Sequence, residues 1–216
     1  MVPAAQTAVF AALRQEMVES QLRQRGIWDE RVLQAMARVP RHRFVTEAFW
    51  NQAYEDHPLP IGEEQTVSQP YIVAVMLQAL DLSPSDKVLE VGTGSGYQTA
   101  LLAELSRFVY SMERHPRLAH EAEERLAQLH YTNVKVFVGD GSKGLPQYSP
   151  FEAIIVSAAA SQVPPLLFDQ LREGGRMVIP IGQPDIQELQ LIKKKEGQPV
   201  IRHLEGCRFV PLVSGN

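Results

Sequence analysis

The sequence predicts an α/β fold with a doubly wound, mostly parallel sheet of seven strands. Short runs rich in β-branched residues alternate with helical patterns between residues 87 and 181. Such alternation is typical of parallel strands that helices cover on both faces. Two later apolar runs are joined by a turn at residues 196–199, which indicates an antiparallel pair at one edge of the sheet. Helical patterns precede the alternation, so we expect an N-terminal helical extension.

The N-terminal extension is predicted to contain two helices and an irregular lid. Apolar residues at helical spacing predict the first helix over residues 7–25, with Gly26 as its stop. Asp29 can cap a second helix that runs through Arg38. A third helix over residues 71–80 leads to the first strand of the core.

The core elements follow from the alternation of patterns. They are predicted as strand 87–91, helix 97–105, strand 108–113, helix 117–129, strand 134–138, strand 153–156, helix 164–172 and strand 175–181. The antiparallel pair is predicted at residues 187–194 and 200–210. Because 216 residues with 44% apolar content suffice for one core, we expect a single domain. Within it we distinguish N-terminal helices (1–70), a core (71–182) and C-terminal strands (183–216).

A glycine-rich turn after the first core strand is the most informative segment. Gly92, Gly94 and Gly96 stand at alternate positions between a buried strand and a helical pattern. A backbone without Cβ atoms can pass close to a ligand, and the following helix directs its free N–H groups there. In a doubly wound sheet a nucleotide-like cofactor docks at this turn. Because the spacing differs from the dinucleotide and phosphate-loop motifs, the glycines could alternatively mark only a tight turn.

Acidic residues at successive strands make the cofactor interpretation more specific. Glu90 lies inside the first strand, an unusual place for a charge unless it faces a ligand or hydrogen-bond donors. Glu113 ends the next strand, where a carboxylate can accept both hydroxyls of a ribose. Asp140 ends the third strand and could accept a hydrogen bond from an adenine amine. The predicted cofactor-binding residues are Glu90, Gly92, Thr93, Gly94, Ser95, Gly96, Glu113, Asp140 and Gly141.

These strand ends resemble the cofactor motifs of class I S-adenosylmethionine-dependent methyltransferases. Residues 59–71 closely resemble the substrate loop of the protein-L-isoaspartate (D-aspartate) O-methyltransferase family, whose members repair proteins. Residues 38–45, 151–156 and 208–213 agree, so the similarity covers nearly the whole chain. The resemblance implies a Rossmann-like fold, S-adenosylmethionine as the methyl donor and S-adenosylhomocysteine as the product.

The resemblance also implies a substrate and a set of site residues. The acceptor would be the free α-carboxylate of L-isoaspartyl residues, and more weakly the β-carboxylate of D-aspartyl residues, in damaged proteins and peptides. The methyl ester is a better leaving group, so the neighbouring amide can form a succinimide that hydrolyses partly to normal aspartate. Ser68 falls at the active-site serine of the family. The residues implied to surround an extended peptide are Ile61, Gln65, Thr66, Val67, Ser68 and Val213.

A carboxylate acceptor requires positioning more than acid–base chemistry. With a pKa of about 4 the carboxyl group is already ionised at neutral pH, so no general base is needed. Holding the reacting atoms in line can contribute about 7–11 kcal/mol. A loop of small hydrogen-bonding groups, such as residues 65–70, fits that requirement. Alternatively, Ser68 only caps the helix that Pro70 begins, and both roles can hold together.

Other chemistries are disfavoured by the end of the fourth core strand. Residues 157–160 lack the Asp/Asn-Pro-Pro-aromatic motif of enzymes that methylate amino nitrogens. Ser157 cannot replace the aspartate ligand of metal-dependent catechol-type enzymes. Two further hypotheses stay open. The acceptor could be a small molecule or another protein carboxylate, or the chain could be a cofactor-binding module without catalysis.

Composition narrows the partners and the compartment. The formal charge of −4 argues against a nucleic-acid partner. A single cysteine, Cys207, fits a reducing compartment. Neither an apolar run of about 20 residues nor a basic leader is evident, so we expect a cytoplasmic protein without a membrane partner. Six histidines without metal-ligand spacing predict no metal site, and we expect a monomer that acts on isoaspartyl proteins.

Overall fold

The computed structural model describes residues 4–183 and 185–215, and it begins with helices. Helix α1 (Ala4–Glu16) continues through shorter helical turns to Gly26, whose φ of 93° ends the helical run. Helix α2 (Glu30–Arg38) begins after Asp29, whose carboxylate accepts hydrogen bonds from two backbone N–H groups of the first turn. The predicted stop and cap are both confirmed. Short π or 3-10 turns lie at Met17–Leu22, Arg23–Arg25, Arg41–Phe44 and Glu47–Gln52.

The expected irregular lid contains a small hairpin. Strands β1 (Leu59–Gly62) and β2 (Gln65–Val67) pair antiparallel and form a sheet of their own. Glu63 and Glu64, at the tip of the hairpin, have φ angles of 51° and 57°. Helix α3 (Pro70–Leu80) follows the hairpin. The predicted position of this third helix is therefore confirmed, whereas the hairpin before it was not predicted.

The main sheet has seven strands in the order β5-β4-β3-β6-β7-β8-β9. Their bounds are β3 (Lys87–Val91), β4 (Phe108–Glu113), β5 (Val134–Val138), β6 (Phe151–Val156), β7 (Leu171–Gln183), β8 (Ile186–Lys195) and β9 (Gln198–Cys207). Strands β3 to β7 pair in parallel, and β7, β8 and β9 pair antiparallel. The connecting helices are α4 (Tyr97–Leu105), α5 (Pro116–Gln128) and α6 (Pro165–Asp169). The predicted fold class is confirmed.

The predicted helix over residues 164–172 is present but shorter, since it ends at Asp169. Helix α6 is one short turn, and β7 begins already at Leu171, which pairs with Phe151 of β6. The next paired residues are Arg176 and Ala153, so residues 172–175 form an irregularity that contains Gly174 with φ 74°. A bulge with two glycines interrupts the sequence pattern by which a strand is normally predicted. Pairing with β6 therefore determines the extended conformation at the start of β7.

Buried side chains cover both faces of the main sheet. Val88 and Ile155 belong to the core that the N-terminal helices, α3 and α4 complete. Leu89 and Ile154 point to the opposite face, where they pack with Leu167 of α6. In the part of the chain that the structure describes, no helix is long and apolar enough to cross a membrane. The carboxyl ends of β3, β4 and β6 are left open, which places a cleft at this edge.

Candidate active site

A cavity of about 790 Å³ lies at the carboxyl ends of the central strands. It is bounded by the β1–β2 hairpin with the loop to α3, by the glycine turn after β3, and by residues 206–213 at the end of β9 and beyond it. A volume in this range is typical of pockets for small-molecule ligands. The predicted cofactor and substrate segments therefore face one shared cavity.

The glycine turn has a backbone that requires glycine at each of its three positions. Gly92, Gly94 and Gly96 have φ angles of 95°, 53° and 89°. Residues with a side chain rarely adopt this left-handed conformation. A Cβ atom at Gly92 would also lie 3.3 Å from the Cβ atom of Ser157. The turn therefore presents bare backbone to the cavity, followed directly by the N-terminus of α4.

Glu90 is completely buried and contacts hydrogen-bond donors of the protein. Its carboxylate accepts from Gln98 Nε2 at 3.1 Å, Thr99 Oγ1 at 2.5 Å and Ser111 Oγ at 2.6 Å. Because the Ser111 hydroxyl donates to Glu90, it is left to accept from Thr93 Oγ1, 2.6 Å away. The network ties the glycine turn and the start of α4 to strand β4. Burial raises the pKa of Glu90 to about 7, although the three donors oppose this change.

We expect Glu90→Gln to change the pH dependence of stability. Burial raises the pKa of the folded state above the ordinary value of 4.5. Between about pH 4.5 and about pH 7 the folded protein therefore keeps a proton on Glu90 that the unfolded chain releases. This proton binding stabilises the folded state at low pH, and the stabilisation is lost as the pH rises through about 7. Its size is on the order of 3 kcal/mol.

Urea unfolding at about pH 5 and about pH 8 measures this contribution. The parent protein should lose more stability between the two values than Glu90→Gln does. Glu123→Gln, at an exposed position of α5, is the control and should follow the parent. An identical pH dependence in Glu90→Gln and the parent would contradict the prediction.

Glu113 connects the glycine turn to the start of α5. Its Oε2 accepts from the N–H of Gly94 at 2.8 Å, and its Oε1 accepts from the N–H of His115 at 2.9 Å. The side chain lines the cavity and is largely buried. Each carboxylate oxygen can accept more than one hydrogen bond. The geometry leaves Glu113 able to accept further donors from a ligand.

Asp140 lies at the end of β5 and is covered by the C-terminal segment. Its Oδ1 accepts from the N–H and the hydroxyl of Ser142, at 2.9 and 2.6 Å, and its Oδ2 accepts from the N–H of Gly215 at 2.9 Å. Burial alone would raise the pKa of Asp140, but these hydrogen bonds and Lys143 hold it below the usual value. Gly141 lines the cavity, whereas Asp140, directly before it in the chain, is not among the lining residues.

The substrate loop places Ser68 at the cavity wall, beside Gln65, Thr66 and Val67. Ser68 is half-buried, and its hydroxyl forms no hydrogen bond with any residue that the structure describes. The alternative role as a helix cap is wrong, because Gln69 occupies the N-cap position of α3 and no side chain there caps the helix. Asp56 accepts from the N–H of Tyr71 at 3.0 Å instead. The hydroxyl of Ser68 is thus left for a ligand.

The two remaining predicted substrate residues, Val213 and Ile61, lie in different parts of the site. Val213 lines the cavity, and its carbonyl accepts from Arg114 Nη1 at 3.2 Å. Ile61 packs against Gly94, since its Cδ1 lies 3.3 Å from where a Cβ atom of that glycine would stand. Among the lining residues that were not predicted as site residues, Met112, Arg114 and His115 lie next to or close to Glu113 in the sequence.

The donor set of the cavity fits an adenosyl cofactor. Bare backbone at the glycine turn, an acceptor at Glu113 and the strand end at Gly141 lie along one wall. Among residues 4–183 and 185–215, no group of three side chains is arranged to hold a metal ion. A doubly wound sheet with this constellation defines the class I methyltransferases, which take a methyl group from S-adenosylmethionine.

Comparisons with known proteins identify the family within this class. The family model for protein-L-isoaspartate(D-aspartate) O-methyltransferase (PCMT) matches residues 12–216. A protein-L-isoaspartate O-methyltransferase of Koribacter versatilis (strain Ellin345) is 55% identical over 204 residues, which are 94% of this chain and 92% of that protein. One from Methanoculleus marisnigri (strain ATCC 35101 / DSM 1498 / JR1) is 54% identical over 200 residues, or 93% and 91% of the two chains. The chain belongs to the protein-L-isoaspartate (D-aspartate) O-methyltransferase family.

Solved structures agree with the family assignment. A protein-L-isoaspartate O-methyltransferase superimposes with a TM-score of 0.84 at 31% identity, covering 94% of this chain and 66% of that one. A second, from Plasmodium falciparum, was crystallised with S-adenosylhomocysteine. It has a TM-score of 0.81 at 30% identity, and the match covers 93% of this chain and 98% of that one. The present chain is accordingly an S-adenosylmethionine-dependent methyltransferase.

Proposed function

We propose that Ser68 orients the acceptor carboxylate in the reaction of this family. That reaction is the methylation of the α-carboxylate of L-isoaspartyl residues, and more weakly the β-carboxylate of D-aspartyl residues, in damaged proteins. One observation carries the proposal. The hydroxyl of Ser68 stands at the wall of the cavity that the glycine turn and Glu113 also line, and it forms no hydrogen bond with the described residues. A free donor at this place suits an anionic acceptor.

The protein contributes binding and alignment to this reaction. S-adenosylmethionine, when bound, supplies the methyl group on a positively charged sulfonium. Ser68 donates a hydrogen bond to one oxygen of the ionised acceptor and leaves the other free to attack. No residue has to remove a proton. Opposite charges cancel as the methyl group moves, so apolar walls that exclude water favour the reaction. Such walls are provided by Val67, Ile72, Val73, Val91, Met112, Phe209, Val210 and Leu212.

The cofactor half of the site has three proposed parts. The N–H groups of residues 92–96 and the N-terminus of α4 face the charged end of the cofactor, with Thr93 and Ser95 buried inside the turn. Glu113 accepts from the ribose hydroxyls. Asp140 and Gly141 border the adenine, where the amine can donate to Oδ2 of Asp140 beside the N–H of Gly215. Glu90 supports the turn through its hydrogen-bond network.

The peptide half of the site has two proposed walls. Gln65, Thr66 and Val67 of strand β2 lie on one side, and Val213 lies on the other. An extended peptide between them would be held by its main chain, which suits damaged sites in varied sequences. Ile61 contributes by holding the hairpin against Gly94.

Methylation of a matched peptide pair tests the function. The protein is incubated with labelled S-adenosylmethionine and an isoaspartyl peptide, its normal-aspartyl twin, or its D-aspartyl twin. We expect label in the isoaspartyl peptide, less in the D-aspartyl peptide and none in the normal one. Equal labelling of the isoaspartyl and normal peptides would overturn the substrate assignment. Absence of turnover with all three would favour a cofactor-binding module without catalysis.

We further propose that the protein acts in the cytoplasm, as a monomer, without a nucleic-acid or membrane partner. The formal charge of −4 and the pI of about 5.9 support the absence of a nucleic-acid partner, since such proteins usually carry a basic face. Light scattering of the purified protein measures the oligomeric state. A dimeric mass at micromolar concentration would contradict the monomer.

A further inference from the structure

Arg41 is a fully buried arginine that touches the backbone of the proposed catalytic serine. Its exposed fraction is 0%. Nε donates to the carbonyl of Ala53 at 2.8 Å, and Nη2 donates to the carbonyl of Ser68 at 2.8 Å. Within the described residues Nη1 has no hydrogen-bond partner. The guanidinium is therefore held by two carbonyls of separate segments.

Stability alone is a weak explanation for this arginine. Removing a charge from water costs several kcal/mol, and buried ionic groups can often be replaced by apolar ones without loss of stability. The planar guanidinium does, however, fix the relative position of the two acceptors that it bridges, which a lysine ammonium cannot do equally well. This points to a geometric role for Arg41.

The position of Arg41 connects the two halves of the site. Besides the carbonyl of Ser68 on the acceptor side, it contacts Tyr97, whose ring centroid lies 4.8 Å from Cζ of the arginine. Tyr97 is the first residue of α4 and directly follows the glycine turn. Arg41 thus contacts both the substrate loop and the residue that directly follows the cofactor turn.

The residues after Ser68 are held from another side. Asp56 accepts from Gln69 Nε2 at 2.9 Å and from the N–H of Tyr71 at 3.0 Å. Because Ala53 and Asp56 lie in one short segment, Arg41 and Asp56 fasten residues 68–71 to the same piece of backbone. The main chain of Ser68 is therefore fixed, and its hydroxyl can change position only by rotation about the Cα–Cβ bond.

We propose that Arg41 is a positioning residue, which holds the hydroxyl of Ser68 at the distance from the methyl donor that transfer requires. The inference rests on the proposed role of Ser68. Methyl transfer needs three atoms in line, and a misplacement of about 1 Å can reduce the rate by about 100-fold. Loss of the bridge should therefore lower kcat and leave cofactor binding intact.

Arg41→Lys tests this role because it keeps the positive charge and removes the planar guanidinium that bridges the two carbonyls. We expect kcat with an isoaspartyl peptide to fall about 10- to 100-fold, while affinity for S-adenosylhomocysteine changes by less than about 3-fold. Arg14→Lys is the matched control. Arg14 also donates to a backbone carbonyl, that of Ala37 at 2.6 Å, but it does not touch Ser68. Its kcat should stay within about 3-fold of the parent.

A double-mutant cycle separates positioning from a general structural effect. In the Ser68→Ala background there is no hydroxyl to position, so adding Arg41→Lys should lower kcat by less than about 3-fold. Equal losses in both backgrounds, or a parallel loss of S-adenosylhomocysteine affinity, would overturn the inference and leave the role of Ser68 standing. An unchanged kcat in Ser68→Ala alone would instead contradict the role of Ser68.

Thermal unfolding of each variant controls for folding. Arg41→Gln is a second substitution, in which one amide group can still donate to one carbonyl. Should both Arg41 variants fail to fold, the residue serves stability and the positioning role is refuted. Folded variants with the kcat of the parent refute it as well.

Discussion

Replacement of Ser68 by alanine is expected to lower kcat for an isoaspartyl peptide by about 10- to 100-fold. A hydrogen bond to a charged group contributes about 1.5–3 kcal/mol, and each 1.4 kcal/mol corresponds to about a factor of ten. The hydroxyl of Ser68 has no hydrogen-bond partner among the described residues, so its removal leaves no protein group there unpaired. Steady-state kinetics with a saturating methyl donor measures the effect.

Affinity for the cofactor separates this effect from general damage to the site. Because Ser68 lies on the substrate loop and the glycine turn is unchanged, S-adenosylhomocysteine should bind Ser68→Ala as tightly as it binds the parent. Ser161→Ala, at an exposed position beyond β6, is the control and should keep full activity. An unchanged kcat in Ser68→Ala, or a loss of cofactor affinity equal to the loss of turnover, would contradict the assignment.

The glycine turn shows why part of the site could be predicted from the sequence. Strand β3, the turn and helix α4 are consecutive, so their geometry depends mainly on local conformational preferences. The left-handed φ angles of Gly92, Gly94 and Gly96 are those that only glycine adopts easily. Glu113 was also predicted at the strand end where it is found, since the alternation of strands and helices fixes the edge of the sheet on which it lies.

The environment of Glu90 could be narrowed but not decided from the sequence. A charge inside a central strand had to face either a ligand or hydrogen-bond donors, and both remained open. The structure places three donors around it, from helix α4 and strand β4. Which face of the strand meets which helix depends on the assembled sheet. No local sequence pattern shows which helix will pack against which face of the strand.

The residues that hold the loop around Ser68 are too distant in the sequence to be recognised from local patterns. Asp56 caps α3 from 15 residues away, and Arg41 reaches Ser68 across 27 residues. No periodicity or motif links residues at such separations. The start of β7 at Leu171, ahead of the predicted strand 175–181, was missed for a related reason, because its pairing partner Phe151 is on another strand and glycines interrupt the local pattern. Long-range contacts decide these features.

On the cofactor side, Glu113→Gln is expected to weaken the binding of S-adenosylhomocysteine by about 100-fold. The carboxylate now accepts the N–H groups of Gly94 and His115, one on each oxygen. An amide has one acceptor oxygen, so one of the two N–H groups would face an NH₂ group, and the ribose hydroxyls would lose an acceptor. Weakening the hydrogen bonds from the two ribose hydroxyls by about 1.5 kcal/mol each corresponds to about 100-fold. Equilibrium titration measures the dissociation constant.

This variant should show the opposite kinetic pattern to Ser68→Ala. Glu113 holds the cofactor end of the cavity and has no proposed contact with the acceptor, so kcat should return close to the parent value once the methyl donor saturates the protein. Glu124→Gln, an exposed carboxylate on α5, should leave the affinity unchanged. If Glu113→Gln bound the cofactor normally but turned over slowly, Glu113 would belong to the acceptor half, and the division of the cavity proposed above would be wrong.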